Sequence, residues 1–164
     1  MSLTAKIQTR DHKMELTTVI KTFEELSSKE LYAIIRLRND VFVVEQNCVF
    51  QDADNKDQVA DHVMIKSDDY LVAYSRILPA GASFPEVSIG RVVSDIKARG
   101  IGAGRRLMQE SLAFIARKHG SCSVRIGAQT YLNEFYKSFG FENAGETYLE
   151  DGIEHIEMTT HVED

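Results

Sequence analysis

Hydrophobic and polar positions follow two different periods along the chain, and the switches between them mark out its elements. Thr17 to Thr22 is rich in β-formers and predicts a first strand. Leu31, Ile34, Ile35, Val41 and Phe42 then recur at helical spacing behind Ser27 and Glu30, a capping-box pair. That pattern predicts a helix reaching Phe42. Val43 to Ala60 keeps neither period and is polar, a long connection of the kind that carries function. His62–Lys66 and Tyr70–Leu78 are extended again on either side of Ser67-Asp68-Asp69, which predicts a hairpin. Val87–Ser94 adds a third strand to that meander.

Leu107, Met108, Leu112 and Ile115 stripe a helix over Gly102–Lys118 that stops at Gly120. Val124, Ile126 and Ala128 alternate as a strand beginning at Ser123. Leu132, Phe135, Tyr136 and Phe139 stripe a short helix that stops at Gly140, and extended runs about Asp151-Gly152 predict a closing hairpin. The strand ending at Ser94, the helix after it and the strand from Ser123 make a right-handed βαβ crossover. The predicted fold class is therefore α/β with a mixed sheet, mostly antiparallel with one parallel pair, and helices on both faces.

With 164 residues, no internal repeat and no linker, one domain is expected over residues 16–164. Residues 1–15 are polar, lack the apolar run of a secretory signal, and are expected to form a disordered or appended tail. No run of about 18 apolar residues suggests a membrane span. A net charge of −6 disfavours a nucleic-acid partner. Cys48 and Cys122 have neither metal-ligand nor Cys-x-x-Cys spacing, so no metal is expected and a reducing cytoplasm is the expected location. Charge is unevenly placed. Eight acids (Asp40, Glu45, Asp52, Asp54, Asp57, Asp61, Asp68, Asp69) stand against two lysines between Asp40 and Asp69, whereas Lys97, Arg99, Arg105 and Arg106 cluster without an acid. A solvated face is the bland explanation of either run.

The basic cluster surrounds Gly100, Gly102 and Gly104, between a predicted strand and a predicted helix. Such a unit presents unpaired backbone N–H groups at the positive end of a helix, which suits an anion, most often phosphate. Glycine lets the ligand approach the backbone and permits positive φ. Neither familiar phosphate motif applies. Arg105-Arg106 replaces the Lys-Ser/Thr of a P-loop, and Arg105 stands where a dinucleotide fingerprint needs its third glycine.

Arg99-Gly-Ile-Gly102-Ala-Gly104 resembles instead the Arg/Gln-x-x-Gly-x-Gly/Ala motif of the GNAT N-acyltransferase superfamily. Phe135-Tyr136-Lys-Ser-Phe-Gly140-Phe141 is similar to that family's Tyr-x-x-x-Gly-Phe segment. Leu37-Arg38-Asn-Asp-Val41-Phe42-Val-Val-Glu45-Gln46-Asn-Cys48, together with Ile89-Gly90-Arg91-Val92-Val93, resembles its ElaA-like branch. The likeness runs from about Phe23 to Met158. It departs at Ser94 and Ile96, where the family often has Val-x-Pro, and at Gln129, where it often has asparagine.

The resemblance implies a GNAT-type fold and transfer of an acetyl group from acetyl-CoA to a primary amine on a small molecule or peptide. It implies that Arg99, Gly100, Ile101, Gly102, Ala103, Gly104 and Arg105 hold the pyrophosphate. Val92, Val93 and Ser94 would face the thioester and pantetheine through their backbone, and Gln129 would complete the cofactor site. Tyr136 matches the general acid that protonates the departing thiolate, although its place in an apolar stripe equally suits a core residue. For the base that takes the amine's proton, Glu45 is the first candidate, then His62, then His155 or water. A homodimer is common in the family.

Two alternatives remain beside this one. An acyl-homoserine-lactone synthase would share the Arg-x-x-Val-Phe helix and the acidic loop, but normally carries a tryptophan in its first segment and lacks the glycine loop. A non-catalytic acyl-CoA-binding module would bind the cofactor without releasing thiol. The acidic run further suggests an acceptor with extra positive charge, drawn in by a field that salt would screen.

Overall fold

A computed structural model describes residues 15–164; the expected tail lies outside them except for Glu15. The strands are β1 (Leu16–Thr22), β2 (Asp61–Ser67), β3 (Tyr70–Leu78), β4 (Val87–Ser94), β5 (Cys122–Gln129), β6 (Glu142–Asn143), β7 (Tyr148–Glu150) and β8 (Ile153–Val162). They form one sheet in the order β1-β2-β3-β4-β5-β8-β6, with β7 also on β8. Every neighbouring pair is antiparallel except β4 with β5, so the predicted mixed sheet is the one observed.

Helices α1 (Ser28–Arg38) and α2 (Ala103–His119) lie on opposite faces. On β3, Ala73 and Ile77 join the core under α2 with Leu107, Met108 and Ile115, while Tyr74 joins Ile34, Leu37 and Met64 under α1. This is the period-two alternation of a strand covered on both sides. The short α3 (Asn133–Lys137) packs on the α2 side, where Tyr136 and Phe141 enter the same core.

The capping box forms as predicted: Ser27 Oγ accepts from Glu30 N–H, and Glu30 Oε2 accepts from Ser27 N–H. Lys21 on β1 and Lys66 on β2 also donate to Glu30, tying the start of α1 to the sheet. The Ser27 N–H and these lysines hold the Glu30 carboxyl down at about 2.

The predicted first helix differs at its end. The α-helix stops at Arg38 and widens into a π-helical turn over Asn39–Glu45. A π turn adds a residue per turn and recurs at functional positions. Here it keeps Val41 buried while carrying Glu45 and Gln46 out towards the second half of the sheet. Two further features escape the hydrophobic pattern. The two-residue β6 is too short to show a period, and β4 bulges between Gly90 and Val93, where its register with β3 slips and Arg91 takes φ +52°.

Candidate active site at the parting of β4 and β5

The one parallel pair is brief. Val87 pairs with Val124 and Ser88 with Arg125; beyond them β4 follows β3 and β5 follows β8. The strands part, and Ile89–Ser94 and Ile126–Gln129 become the two walls of an opening in the sheet. Backbone groups along those walls are free to pair with an extended ligand. Val93 is buried in the α1-side core and Val92 is partly buried against the α2-side core, which leaves their main chain as the principal surface for a ligand.

The glycine loop lies beside that opening. A short 3₁₀ turn, Ile96–Ala98, leads into Arg99, and Gly100 and Gly102 adopt φ +86° and +84°. Gly102 is the N-cap of α2, and among the described residues no side chain caps that helix end. Among the described residues, nothing lies within 4 Å of where a Cβ would stand at Gly100 or Gly102. Uncapped N–H groups, a 17-residue helix behind them and an open approach fit the diphosphate of an acyl-CoA. Ile101 is exposed, Ala103 is buried at the first position of α2, and Gly104 lies against Phe135 of α3. The basic cluster is only partly gathered here. Arg105 stays close, stacked 5.1 Å from the Phe139 ring with a long contact to Ser138. Arg106 instead turns to Thr18 on β1 at 3.1 Å, away from the loop.

Arg99 is held by Glu45. Its Nη1 and Nη2 donate to Glu45 Oε1 and Oε2 at 2.6 and 2.7 Å, and these bonds hold the Glu45 carboxyl below its usual range. The next residue makes the next tie. Gln46 and Gln129 exchange side-chain hydrogen bonds at 3.2 and 3.4 Å, and Cys48 Sγ lies 3.6 Å from the Asp151 carbonyl. The segment after the π turn therefore spans the opening from the glycine loop to the β7–β8 turn.

Tyr136 is 5% exposed, with its ring edge-on to Phe135 and Phe141. Burial pushes its hydroxyl well above the usual tyrosine range, so it stays protonated at neutral pH. Tyr131 is exposed in the turn that joins β5 to α3, and α3 meets the glycine loop where Phe135 lies against Gly104. Loop, end of β5 and α3 thus meet on one side of the opening.

The two histidines are placed differently. His62 is fully buried between Tyr74 and the 57–59 turn. Its Nε2 can only donate to the Asp57 carbonyl at 2.9 Å, which leaves Nδ1 to accept from the Tyr74 hydroxyl at 2.7 Å. Both nitrogens are committed, so His62 is a core histidine and not the base. His155 stands opposite Gln129 in register, stacked under Tyr148, with Nδ1 donating to the Ile153 carbonyl at 2.7 Å. The Tyr148 hydroxyl reaches β5 and occupies the space a side chain would need at Gly127, 2.9 Å from that Cβ position.

The acidic run does not form a surface field. Asp52, Asp54 and Asp57 turn inward onto Arg38, Arg76 and Arg91. Arg38, 1% exposed, donates to Asp52 Oδ2 and Asp57 Oδ1 at 2.8 Å each. Arg76 donates to Asp54 and Asp57, and Arg91 lies 2.8 Å from Asp52 Oδ1 without hydrogen-bond alignment. Asp61 pairs with Lys118, and Asp40 stands 3.8 Å from Arg36. The expected cationic acceptor therefore loses its basis. Buried carboxylates persist only when paired, and these are. Arg38, Arg76 and Arg91 are dispersed in the sequence, so their convergence has no local signal; the Gly90 before Arg91 is the one hint of a bulge.

Solved structures share this architecture. The chain superposes on an acyl-CoA N-acyltransferase from Pseudomonas aeruginosa with a TM-score of 0.83 at 41% identity, covering 88% of this chain and 99% of that one. At fold level alone it resembles an aminoglycoside 6'-N-acetyltransferase complexed with coenzyme A, with a TM-score of 0.66 at 15% identity over 87% of this chain and 96% of the other. By sequence it is 44% identical to Protein ElaA of Escherichia coli over 140 residues, 84% of this chain and 92% of that protein. Fold and sequence likeness thus make the protein an N-acyltransferase. Residues 39–162 match the acetyltransferase (GNAT) domain, and the chain belongs to that family, in its ElaA-like branch. Among the described residues no helix is long and apolar enough to cross a membrane, and no cluster of His, Cys, Asp and Glu could hold a metal ion.

Proposed function

We propose that the protein transfers an acetyl group from acetyl-CoA directly to a primary amine. The observation that supports this most is the uncapped, sterically open glycine loop at the start of α2, beside strands that part after two residue pairs. Acetyl-CoA supplies the thioester carbonyl. The loop N–H groups, with Arg99 and Arg105, bind its diphosphate. Backbone N–H groups of the bulged Val92–Ser94 segment stabilise the oxyanion that develops when the amine nitrogen attacks that carbonyl.

Collapse of the intermediate breaks the carbon–sulfur bond, and Tyr136 donates its proton to the departing thiolate. Burial keeps the hydroxyl protonated until it is needed. Because a thiol's ordinary pKa is about 8.5, the donation is uphill by itself. It is drawn forward by loss of the ammonium proton from the attacking nitrogen, which leaves the neutral amide. The amine's own proton leaves through water or a carboxylate on the Gln46–Gln129 side of the opening. The test is amine-dependent release of CoA thiol from acetyl-CoA across a panel of cationic, neutral and acidic primary amines. Release with at least one amine class supports the transferase. Binding of acetyl-CoA with no thiol release for any amine would favour a cofactor-binding module.

A further inference from the structure

The Arg99–Glu45 pair joins two segments with opposite loyalties. Arg99 opens the loop that faces the donor's diphosphate, whereas Glu45 ends the π turn that reaches across to Gln129. The contact is a two-bond fork at 2.6 and 2.7 Å, in which one planar anion occupies the end of the guanidinium through both terminal nitrogens. Both terminal nitrogens of Arg99 are taken, with Nη2 adding only a 3.5 Å contact to the Ser94 carbonyl. The pair is also open to solvent, with side chains 43% and 32% exposed, so an entering anion can reach it.

We propose that Glu45 and the donor's diphosphate compete for Arg99, so that donor binding exchanges one carboxylate for one phosphate and sets Glu45 free. The proposal rests on the acyl-CoA assignment of the loop and adds an order to it. Before the donor binds, Glu45 neutralises Arg99. After it binds, an unpaired carboxylate stands next to Gln46, at the acceptor's side of the opening. That carboxylate can then attract the ammonium form of the acceptor or take its proton through water. The donor site and the acceptor site are thereby linked, and such linkage is reciprocal. Binding energy from the diphosphate, remote from the reacting carbonyl, is what prepares the acceptor side.

The exchange is tested by calorimetric titration of the full chain with CoA in a two-residue cycle. Glu45→Gln keeps the side chain's shape but cannot compete for Arg99. It is expected to tighten CoA by about fivefold or more. Arg99→Gln is expected to weaken CoA, and in that background Glu45→Gln should change little. Thermal unfolding of each variant establishes that the fold is retained.

Unchanged or weaker CoA binding by Glu45→Gln overturns the exchange and makes Glu45 a support that positions Arg99. Equal tightening with and without Arg99 also overturns it, since Glu45 would then act only by long-range repulsion. If CoA binds none of the four proteins, the loop assignment itself fails and the exchange falls with it. If CoA binds but Arg99→Gln binds as well as wild type, the loop assignment stands and the exchange alone is rejected.

Discussion

Asp57 Oδ1 lies between two guanidinium groups, 2.8 Å from Nη1 of Arg38 and 3.0 Å from Nη1 of Arg76. One oxygen thus joins α1 to β3. Burial alone would push this carboxyl up, but the hydrogen bonds and charge of Arg38 and Arg76 outweigh it and hold the group below its usual range. Removing a partner from such a pair leaves an uncompensated buried charge, a larger penalty than the pair's own net contribution. Asp57→Asn should therefore destabilise the fold by about 3 kcal/mol or more, read from urea unfolding. A loss within about 0.5 kcal/mol, the range of an ordinary surface substitution, would show that the cluster is not energetically buried.

His62 sits on the same oxygen-rich turn and makes stability depend on pH. Burial is the main cause that lowers its pKa in the folded state. The unfolded chain, near 6.5, therefore binds a proton before the folded one does. Stability from His62 is present above pH of about 6.5 and falls as pH drops below it, by up to about 1.4 kcal/mol per pH unit. Asp54 and Asp57, whose folded values are also lowered, add their loss only below about pH 4. Unfolding free energies between pH 7 and 5 should decline, and His62→Gln should flatten that decline. A slope that His62→Gln leaves intact would assign the proton to another group.

Tyr136→Phe keeps the ring among Phe135 and Phe141 and deletes only the hydroxyl. If that hydroxyl protonates the thiolate, kcat should fall by about tenfold to a thousandfold with little change in KM for acetyl-CoA. The melting temperature should hold, because the hydroxyl makes no hydrogen bond among the described residues and the ring packing is kept. An unchanged kcat would make Tyr136 a packing residue and water the proton donor.

Gly127 is bare because Tyr148 needs its space. The Tyr148 hydroxyl stands 2.9 Å from the absent Cβ, closer than side chains tolerate. Gly127→Ala should push Tyr148 off β5 and disturb its stack on His155, opposite Gln129. The expected result is a larger rise in KM for the amine than loss of CoA affinity, since β5 lines the opening but the glycine loop is untouched. Equal effects on both substrates would mean that the whole sheet had shifted.

Where side chains repeat locally, the sequence was legible. Ser27 and Glu30 announced the start of α1, the stripe through Leu107 and Ile115 announced α2, and Asp151-Gly152 announced the last turn. The glycine spacing led to the loop, because positive φ at Gly100 and Gly102 is a local backbone demand. Contacts between distant segments left no such trace. Nothing near Asp52, Asp54 or Asp57 shows that Arg38, Arg76 and Arg91 will neutralise them, so a run of acids looked like a field. The parting of β4 from β5 was equally hidden, since β5 keeps its alternation after the pairing ends and nothing in β4 says which neighbour it follows.

The proposed transfer depends on the uncapped start of α2 binding the acyl donor. Gly102 has φ +84° and open space before it, so Gly102→Val brings a strained backbone and a branched side chain to the N–H groups that would face the diphosphate. The most direct measurement is calorimetric titration of acetyl-CoA into wild type and Gly102→Val, with circular dichroism to establish that both are folded. Wild type should bind saturably, and the folded variant should not bind. Equal affinity in the two proteins would contradict it and place the donor elsewhere.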